Sequence, residues 1–313
     1  MTSKPPAPEL RIATRGSPLA LAQAEKVVEA IQNTTHYKSE QFEIKVKTYR
    51  TSGDRMQSGA LAQIGGKGLF TKEIEEALLD NEADIAVHSM KDVPTIIPNG
   101  LIIAAFLPRS DFRDALISRY QSINDLPQGA ILGTASLRRQ AIIKNIRPDI
   151  VVKTLRGNVQ TRLARITAGD FDATLLAAAG LERLGLMESA SAILSPDVVL
   201  PAVCQGTIGI ECRENDEKTR ELLENIDDPV TRMVSVAERS FLRELDGSCR
   251  MPIAALATKS KDSIKLRGLI VRPDGAELIG DEAQSATSEL ETLGIELARR
   301  LIEKAEPGFF NGD

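Results

Sequence analysis

The sequence predicts an α/β protein of two lobes joined by hinge crossovers, followed by a small C-terminal α+β domain. Three observations predict it. From Leu10 to Arg213, short apolar runs of strand length alternate with amphipathic helical segments. Two units share a design: Ile12–Ser17 and Ile131–Ser136 each run from a strand into a turn bearing Thr and Ser, with arginine nearby, and DIAVH at 84–88 is echoed by DATLLA at 172–177. Beyond residue 228 the character changes to one long amphipathic helical pattern, then strands around a Pro273-Asp274-Gly275 turn and a closing helix.

Composition bounds the function. A chain of 313 residues suggests two or three domains, and 42% hydrophobic with 27% charged residues describes an ordinary globular protein. A net charge of −5 argues against a basic nucleic-acid-binding face. No apolar run approaches the roughly 18 residues of a membrane span, and the opening MTSKPPAPEL has no secretory core, so the expectation is a cytoplasmic protein. Cys204, Cys212 and Cys249 form no C-x-x-C pair, and His36 and His88 are the only histidines. No disulfide framework or metal site is expected, and acid–base work falls to carboxylates and lysines.

Taken in order, Leu10–Ala13 reads as a strand. Ser17 is a good N-cap and Pro18 fits the first turn of a helix running to about Ile31. Arg11 and Arg15 bracket this strand, and the helix N-terminus beside it favours anions. Phe42–Tyr49 alternates as a second strand. The Gly- and Ser-rich stretch 51–68 lacks periodicity and reads as a mobile lid that would carry Lys67 into a cleft. Its Gly65-Gly66-Lys67-Gly68 lacks the full phosphate-loop spacing. A helix over Leu69–Leu79 leads to a buried strand at Asp84–Val87. A polar loop, His88-Ser89-Met90-Lys91-Asp92, comes next and is closed by Val93-Pro94.

Gly100–Leu107 is a further strand, and Pro108–Asp114 reads as a crossover. The second lobe takes strands at Ala115–Ser118, Ile131–Thr134, Val151–Leu155 and Asp172–Ala177, with helices between them. Pro201–Arg213 contains a strand that returns to the first lobe. Two crossings make a hinged clamp, the layout of periplasmic solute-binding proteins. Helices are expected at Glu217–Ile226 and Pro229–Leu245. Strands at Ala254–Thr258, Lys265–Val271 and Ala276–Asp281 and a closing helix at Ser288–Ala305 complete the tail. The expected division is 1–107 with 207–227 as the first domain, 108–206 as the second, and 228–313 as the third.

Open α/β sheets bind ligands beyond the carboxyl ends of their strands. Lys91 and Asp92 sit at such an end, one suited to clamping an anion, the other to accepting a proton or holding an N–H. Other strand ends supply Arg11, Arg15, Arg138, Arg139, Arg156, Arg162 and Arg183. So many like charges aimed at one cleft repel without an anion between them, and the guanidinium fork suits carboxylates. The bland alternative is a set of ordinary surface pairs, and Arg165 is assigned to it. Cys249 sits in a Gly-Ser-Cys turn where a thiol can be displayed. Cys212 reads as a small buried hydrophobe.

The segments R-I-A-T-R-x-S-P-L-A, G-G-K-G-L-F-x-K-E, A-D-I-A-V-H-S-M-K-D-V-P, G-T-x-S-L-R-R, L-R-G-N-V-x-T-R, G-L-x-R-L-G, L-P-A-V-x-Q-G and G-x-C occur in this order. Together they closely resemble the porphobilinogen deaminase (hydroxymethylbilane synthase) family, from Leu10 to the C-terminal helix. The resemblance implies a three-domain, monomeric enzyme with a dipyrromethane cofactor bound to Cys249 through a thioether. It implies that four porphobilinogen molecules are joined with loss of ammonia and that hydroxymethylbilane is released by hydrolysis, a step of porphyrin and haem biosynthesis. Asp92 is then the catalytic residue. The cofactor falls to Lys91, Ser89, Thr134, Ser136, Arg138, Arg139 and Arg162, and the substrate to Arg11, Arg15, Ser17, Arg156, Arg183 and Gln205. Lys67 and Phe70 belong to the lid.

Each pyrrole carries an acetate and a propionate, which gives the basic cleft its reason. Loss of ammonia leaves a cationic azafulvene that a fixed carboxylate stabilises. Gln63, Cys204 and Ala135 depart from residues carried by some relatives; Cys204 is expected to be packed. Two other readings stay open on the residues alone: a non-catalytic anion-binding protein, and a phosphate-handling enzyme built on Gly65–Gly68.

Overall fold

The computed structural model describes residues 9–40, 42–55, 68–245 and 251–309. The first sheet begins with β1 (Glu9–Arg15). Ser17 then accepts from the Ala20 N–H at 3.2 Å, and Pro18 opens α1 (Pro18–Gln32), as its sequence signals require. The short α2 (Thr35–Glu40), β2 (Glu43–Tyr49), α3 (Ser52–Arg55) and α4 (Lys72–Leu79) follow, then β3 (Ile85–Ser89), a 3₁₀ turn at Met90–Asp92, and β4 (Leu101–Phe106). The second sheet is made from β5 (Asp114–Ser118), β6 (Ile131–Gly133), α5 (Leu137–Ile146), β7 (Val151–Lys153), α6 (Val159–Thr167), β8 (Ala173–Ala177), α7 (Ala178–Arg183) and the two-residue β9 (Ala192–Ile193). The chain returns through β10 (Ile208–Arg213) and α8 (Glu217–Glu224). The third unit is α9 (Pro229–Glu244), β11 (Ile253–Ser260), β12 (Ser263–Val271), β13 (Leu278–Ala286) and α10 (Leu290–Lys304).

The first sheet has the order β2-β1-β3-β10-β4 and the second β7-β6-β8-β5-β9. In each, one crossing strand runs antiparallel: β10 beside β3 and β4, and β5 beside β8. This is the two-lobed clamp expected from the sequence, with a three-stranded antiparallel sheet, β11-β12-β13, as the third unit.

The antiparallel strands decide where the linkers lie. Ile208 pairs with Ser89, so β10 starts at the edge where β3 ends. Asp114 pairs with Ala177, so β5 likewise starts where β8 ends. Both linkers between the lobes therefore run past the carboxyl ends of the parallel strands. They hydrogen-bond side by side, Leu107 N to Ile208 O at 3.1 Å and Ser110 N to Gly206 O at 3.2 Å. Gly206 has φ +89° and a Cβ there would lie 2.6 Å from the Ser110 carbonyl, so the hinge turn requires glycine.

β3 is longer than the sequence suggests. His88 and Ser89 are strand residues, because Gly209 and Ile208 of β10 pair with them. The helix expected from Leu69 starts at Lys72, after a turn in which Thr71 N and Lys72 N bond the Gly68 carbonyl. The third unit packs directly beneath the first lobe. Met90, Val93 and Phe106 share a core with Ala237 and Phe241 of α9, Ile253 and Ala255 of β11, and Leu297 of α10.

Candidate active site

The carboxyl ends of β1, β3, β6 and β8 define one cleft. β1 ends at Arg15, followed by Ser17 at the N-terminus of α1. β3 ends at Ser89, followed by the turn that presents Lys91 and Asp92. Met90 anchors this turn: it is buried, its N–H bonds the Thr207 carbonyl at 3.1 Å, and its side chain covers Gly209 of β10. The turn therefore rests on the returning hinge strand.

Across the cleft, Arg138 and Arg139 open α5, with Ser136 as N-cap. Both are buried against Asp114, which is fully enclosed. Asp114 accepts from Arg138 Nη2 at 2.8 Å, Arg139 Nη2 at 2.7 Å and Gln205 Nε2 at 2.9 Å. Burial alone would raise the Asp114 carboxyl, but the two guanidiniums overrule it and hold it far below the usual carboxylate range. Asp114 was not among the residues singled out from the sequence. It stands at the end of a hinge segment, and its partners lie 24, 25 and 91 positions away.

Lys91 belongs to the same electrostatic cluster. Its side chain reaches solvent only in part, and burial pushes the ammonium down to about 8. Asp92 and Asp114 oppose that shift, whereas Arg139 and Arg138 reinforce it. Arg162 is brought down to about 10, first by burial, then by repulsion from Arg139 and Arg156, against the attraction of Asp92. The first lobe's Lys91 and Asp92 thus share one field with the second lobe's Arg138, Arg139, Arg156 and Arg162. Arg183 is nearby at the hinge, donating to the Ser110 hydroxyl at 3.1 Å and the Gly206 carbonyl at 2.6 Å. Burial lowers it to about 10.

These cations outnumber the carboxylates Asp92 and Asp114. The buried Nε donors of Arg138, Arg139, Arg156 and Arg183 have no acceptor among the described residues. A buried donor left without an acceptor costs about 1–3 kcal/mol, more when charged. A guest bearing carboxylates would supply the missing acceptors.

The neutral residues are busier than expected. Ser17 and Ser136 cap helices, and the Thr134 hydroxyl accepts from Ser136 N at 3.1 Å. Their helix N-termini nonetheless open at the cleft edge. The Ser89 hydroxyl lies 2.7 Å from Gln23 Nε2 of α1, a partner the sequence reading missed. Gln205 is fully buried and donates to Phe112 O and Asp114, so it braces the arginine pair from beneath. Arg15 pairs with Asp54 and stacks over the Phe70 ring, its guanidinium carbon 4.4 Å from the centroid. Phe70 therefore stands at the cleft mouth, where the lid stem was expected.

Arg11 is a correction. It grips Asp84 with Nε at 3.0 Å and Nη2 at 2.7 Å, and Nη1 bonds the Asn81 carbonyl at 2.6 Å. Asp84 immediately precedes β3, so this pair is at the end of the sheet opposite the cleft. Arg165 pairs with Asp170 on the surface, as expected. Cys212 is buried, and so is Cys204, with burial pushing their thiols up to about 11 and about 12. Both are packed, inert groups. Cys249, Lys67 and Gln63 lie outside the described residues.

Comparison with known proteins gives this geometry its family. The model described as "Porphobilinogen deaminase, dipyromethane cofactor binding domain" matches residues 10–221. The model described as "Porphobilinogen deaminase, C-terminal domain" matches residues 233–303. The chain belongs to the porphobilinogen deaminase family. It is 52% identical over 300 residues to the porphobilinogen deaminase of Nitrobacter winogradskyi, covering 96% of this chain and 94% of the relative. It is 48% identical over 313 residues to that of Paracoccus denitrificans, covering 99% of each. The chloroplastic enzyme of Pisum sativum is 47% identical over 307 residues, covering 96% of this chain and 83% of the relative. The chain is accordingly a hydroxymethylbilane synthase, a transferase of tetrapyrrole biosynthesis with a dipyrromethane cofactor.

Proposed function

We propose that the cleft between the lobes divides the family reaction among this chain's own residues as follows. Arg138, Arg139, Arg162 and Lys91 hold the carboxylates of the cofactor. Arg15, Arg156 and Arg183 hold those of the incoming porphobilinogen. The observation that carries this reading is that the buried Nε donors of Arg138 and Arg139, whose charges act on Lys91, have no acceptor among the described residues. Arg11 has no part in it.

Asp92 is the acid group at the pyrrole nitrogens. As the aminomethyl C–N bond breaks, ammonia leaves and positive charge spreads onto the pyrrole ring. A fixed carboxylate beside that charge lowers the barrier to its formation. The carbon that accepts the new unit must shed a proton when the C–C bond forms, and in this reading Asp92 receives it. The cations alone would oppose a cationic centre, so one carboxylate among them is a requirement of the chemistry.

Dipyrromethane, when bound, would supply the terminal pyrrole to which each new unit is joined. Cys249 is its point of attachment, which lies close in sequence to the end of α9. The lobe assignments proposed are 1–107 with 207–227, 108–206, and 228–313, and the enzyme is proposed to act as a cytoplasmic monomer. Asp92→Asn keeps the shape and removes the charge. Turnover is expected to fall about 10²–10⁴-fold while protein-bound pyrrole, scored by colour with an acidic aldehyde reagent, is retained. Unchanged turnover would remove Asp92 from the role. The mass of the intact protein tests the tether: a dipyrromethane increment that disappears in Cys249→Ser is the expected result.

A further inference from the structure

The cleft residues assigned above all reach the guest from the two lobes, yet the turn that presents Asp92 is also held from the third unit. Arg239 projects from the middle of α9. Its Nη2 donates to the Pro94 carbonyl at 2.7 Å and its Nη1 to the Val93 carbonyl at 3.2 Å. These are the two carbonyls immediately after Asp92. Val93 and Met90 on either side are packed into the core that α9 and β11 build. The turn is therefore clamped at both ends, by Thr207 of the hinge at Met90 N and by the third unit at Val93 and Pro94.

The residue type is telling. Arg239 donates to neutral carbonyls; burial lowers its pKa below the ordinary arginine value, Arg243 adds repulsion, and Cys204 and Glu211 offset part of this by attraction. A largely enclosed guanidinium with no ion pair among the described residues is a costly way to join two elements if only cohesion is needed. Its planar fork does what an apolar contact cannot: it fixes the direction of two consecutive carbonyls and hence the orientation of the peptide that leads back to Asp92. The same helix ends at Glu244, five positions before Cys249 in the sequence.

We propose that Arg239 is a positioning residue for the reaction, holding the Asp92 carboxylate at its working place through the Val93 and Pro94 carbonyls and so tying that place to the seating of the cofactor-bearing unit. This rests on the role assigned to Asp92. Misplacement of a catalytic group by about 1 Å can cost about 10²-fold, which sets the scale expected.

The experiment uses holoenzyme carrying Arg239→Gln, with Arg239→Lys as the conservative variant, each in the wild-type and Asp92→Asn backgrounds. Arg239→Gln is expected to lower kcat about 10–100-fold with KM changed less than about two-fold and bound pyrrole retained. Amide hydrogen exchange across residues 90–95 is expected to quicken, because both carbonyl anchors are lost. Arg239→Lys, which keeps one donor direction, should recover part of kcat and part of the protection. In the Asp92→Asn background the same substitution should cost no further turnover, since the group it positions is gone. An equal further loss there, or unchanged exchange across 90–95, overturns the proposal. Should Asp92→Asn itself prove fully active, the role of Asp92 falls, whereas the exchange measurement still decides whether Arg239 holds the turn.

Discussion

Replacing Asp114 by Asn probes the foundation of the cleft. The Asp114 carboxylate takes hydrogen bonds from Arg138, Arg139 and Gln205 at 2.8, 2.7 and 2.9 Å, and all three partners are buried. Asn has nearly the same shape, but its Nδ2 is a donor. It cannot face a guanidinium N–H, so one of the bonds becomes a donor–donor contact and the two guanidiniums lose their shared countercharge. Breaking a buried ion pair from one side costs about 3–5 kcal/mol, because the remaining charge stays enclosed. At roughly 2 °C per kcal/mol for a chain of this size, the melting temperature should fall by roughly 6–10 °C.

The guest supplies a second arm to this test. Under the proposed assignment of the cofactor carboxylates to Arg138 and Arg139, the loss should be smaller in holoenzyme than in apoprotein made by Cys249→Ser. Differential scanning calorimetry of the four proteins measures both. The pH dependence has a definite sign. The Asp114 pKa is depressed on folding, so its contribution is complete above the unfolded carboxylate value and is lost only as pH falls below it. The stability gap between the wild-type and Asp114→Asn proteins should therefore be level at neutral pH and close only in strong acid. A shift under about 2 °C in the apoprotein, or equal shifts with and without the cofactor, would refute the reasoning that Asp114 offsets the two arginines in place of a guest.

Two further outcomes are expected. Burial places the Lys91 ammonium at about 8 against an ordinary value of 10.5, so between these the unfolded chain binds the extra proton. Apoprotein stability should rise with pH across that window relative to Lys91→Met, and parallel denaturation curves would contradict the burial of Lys91. Arg11→Gln should leave KM for porphobilinogen within about two-fold and cost at most about 1 kcal/mol, as for other half-exposed pairs. A tenfold rise in KM would return Arg11 to the cleft.

Much of this molecule is legible without coordinates. Local rules suffice for Ser17-Pro18 opening α1, for Ser136 capping α5, for the apolar run of β3 and for the period-two strands of the tail, because caps, turns and alternation act within a few residues. The two crossings and the basic character of the strand ends are equally visible. Placement of Arg11 is not. It stands four residues before Arg15 on the same strand, and at about 3.3 Å per residue the two lie about 13 Å apart, on opposite ends of the sheet.

The sequence by itself determined the chemistry available: many guanidiniums, a Lys91-Asp92 pair after a buried strand, and too few histidines or cysteines for another plan. Tertiary structure alone decided the partners. Asp114 beneath Arg138 and Arg139, Gln23 at Ser89, and Arg239 at Val93 and Pro94 join positions 24 to 146 residues apart. Which of the basic side chains stay charged without a mate, and which are satisfied elsewhere, follows from the packing of three units around one hinge. A charge has no local signature for its partner; only the folded chain brings the two within hydrogen-bonding distance and removes the water that would otherwise stand between them.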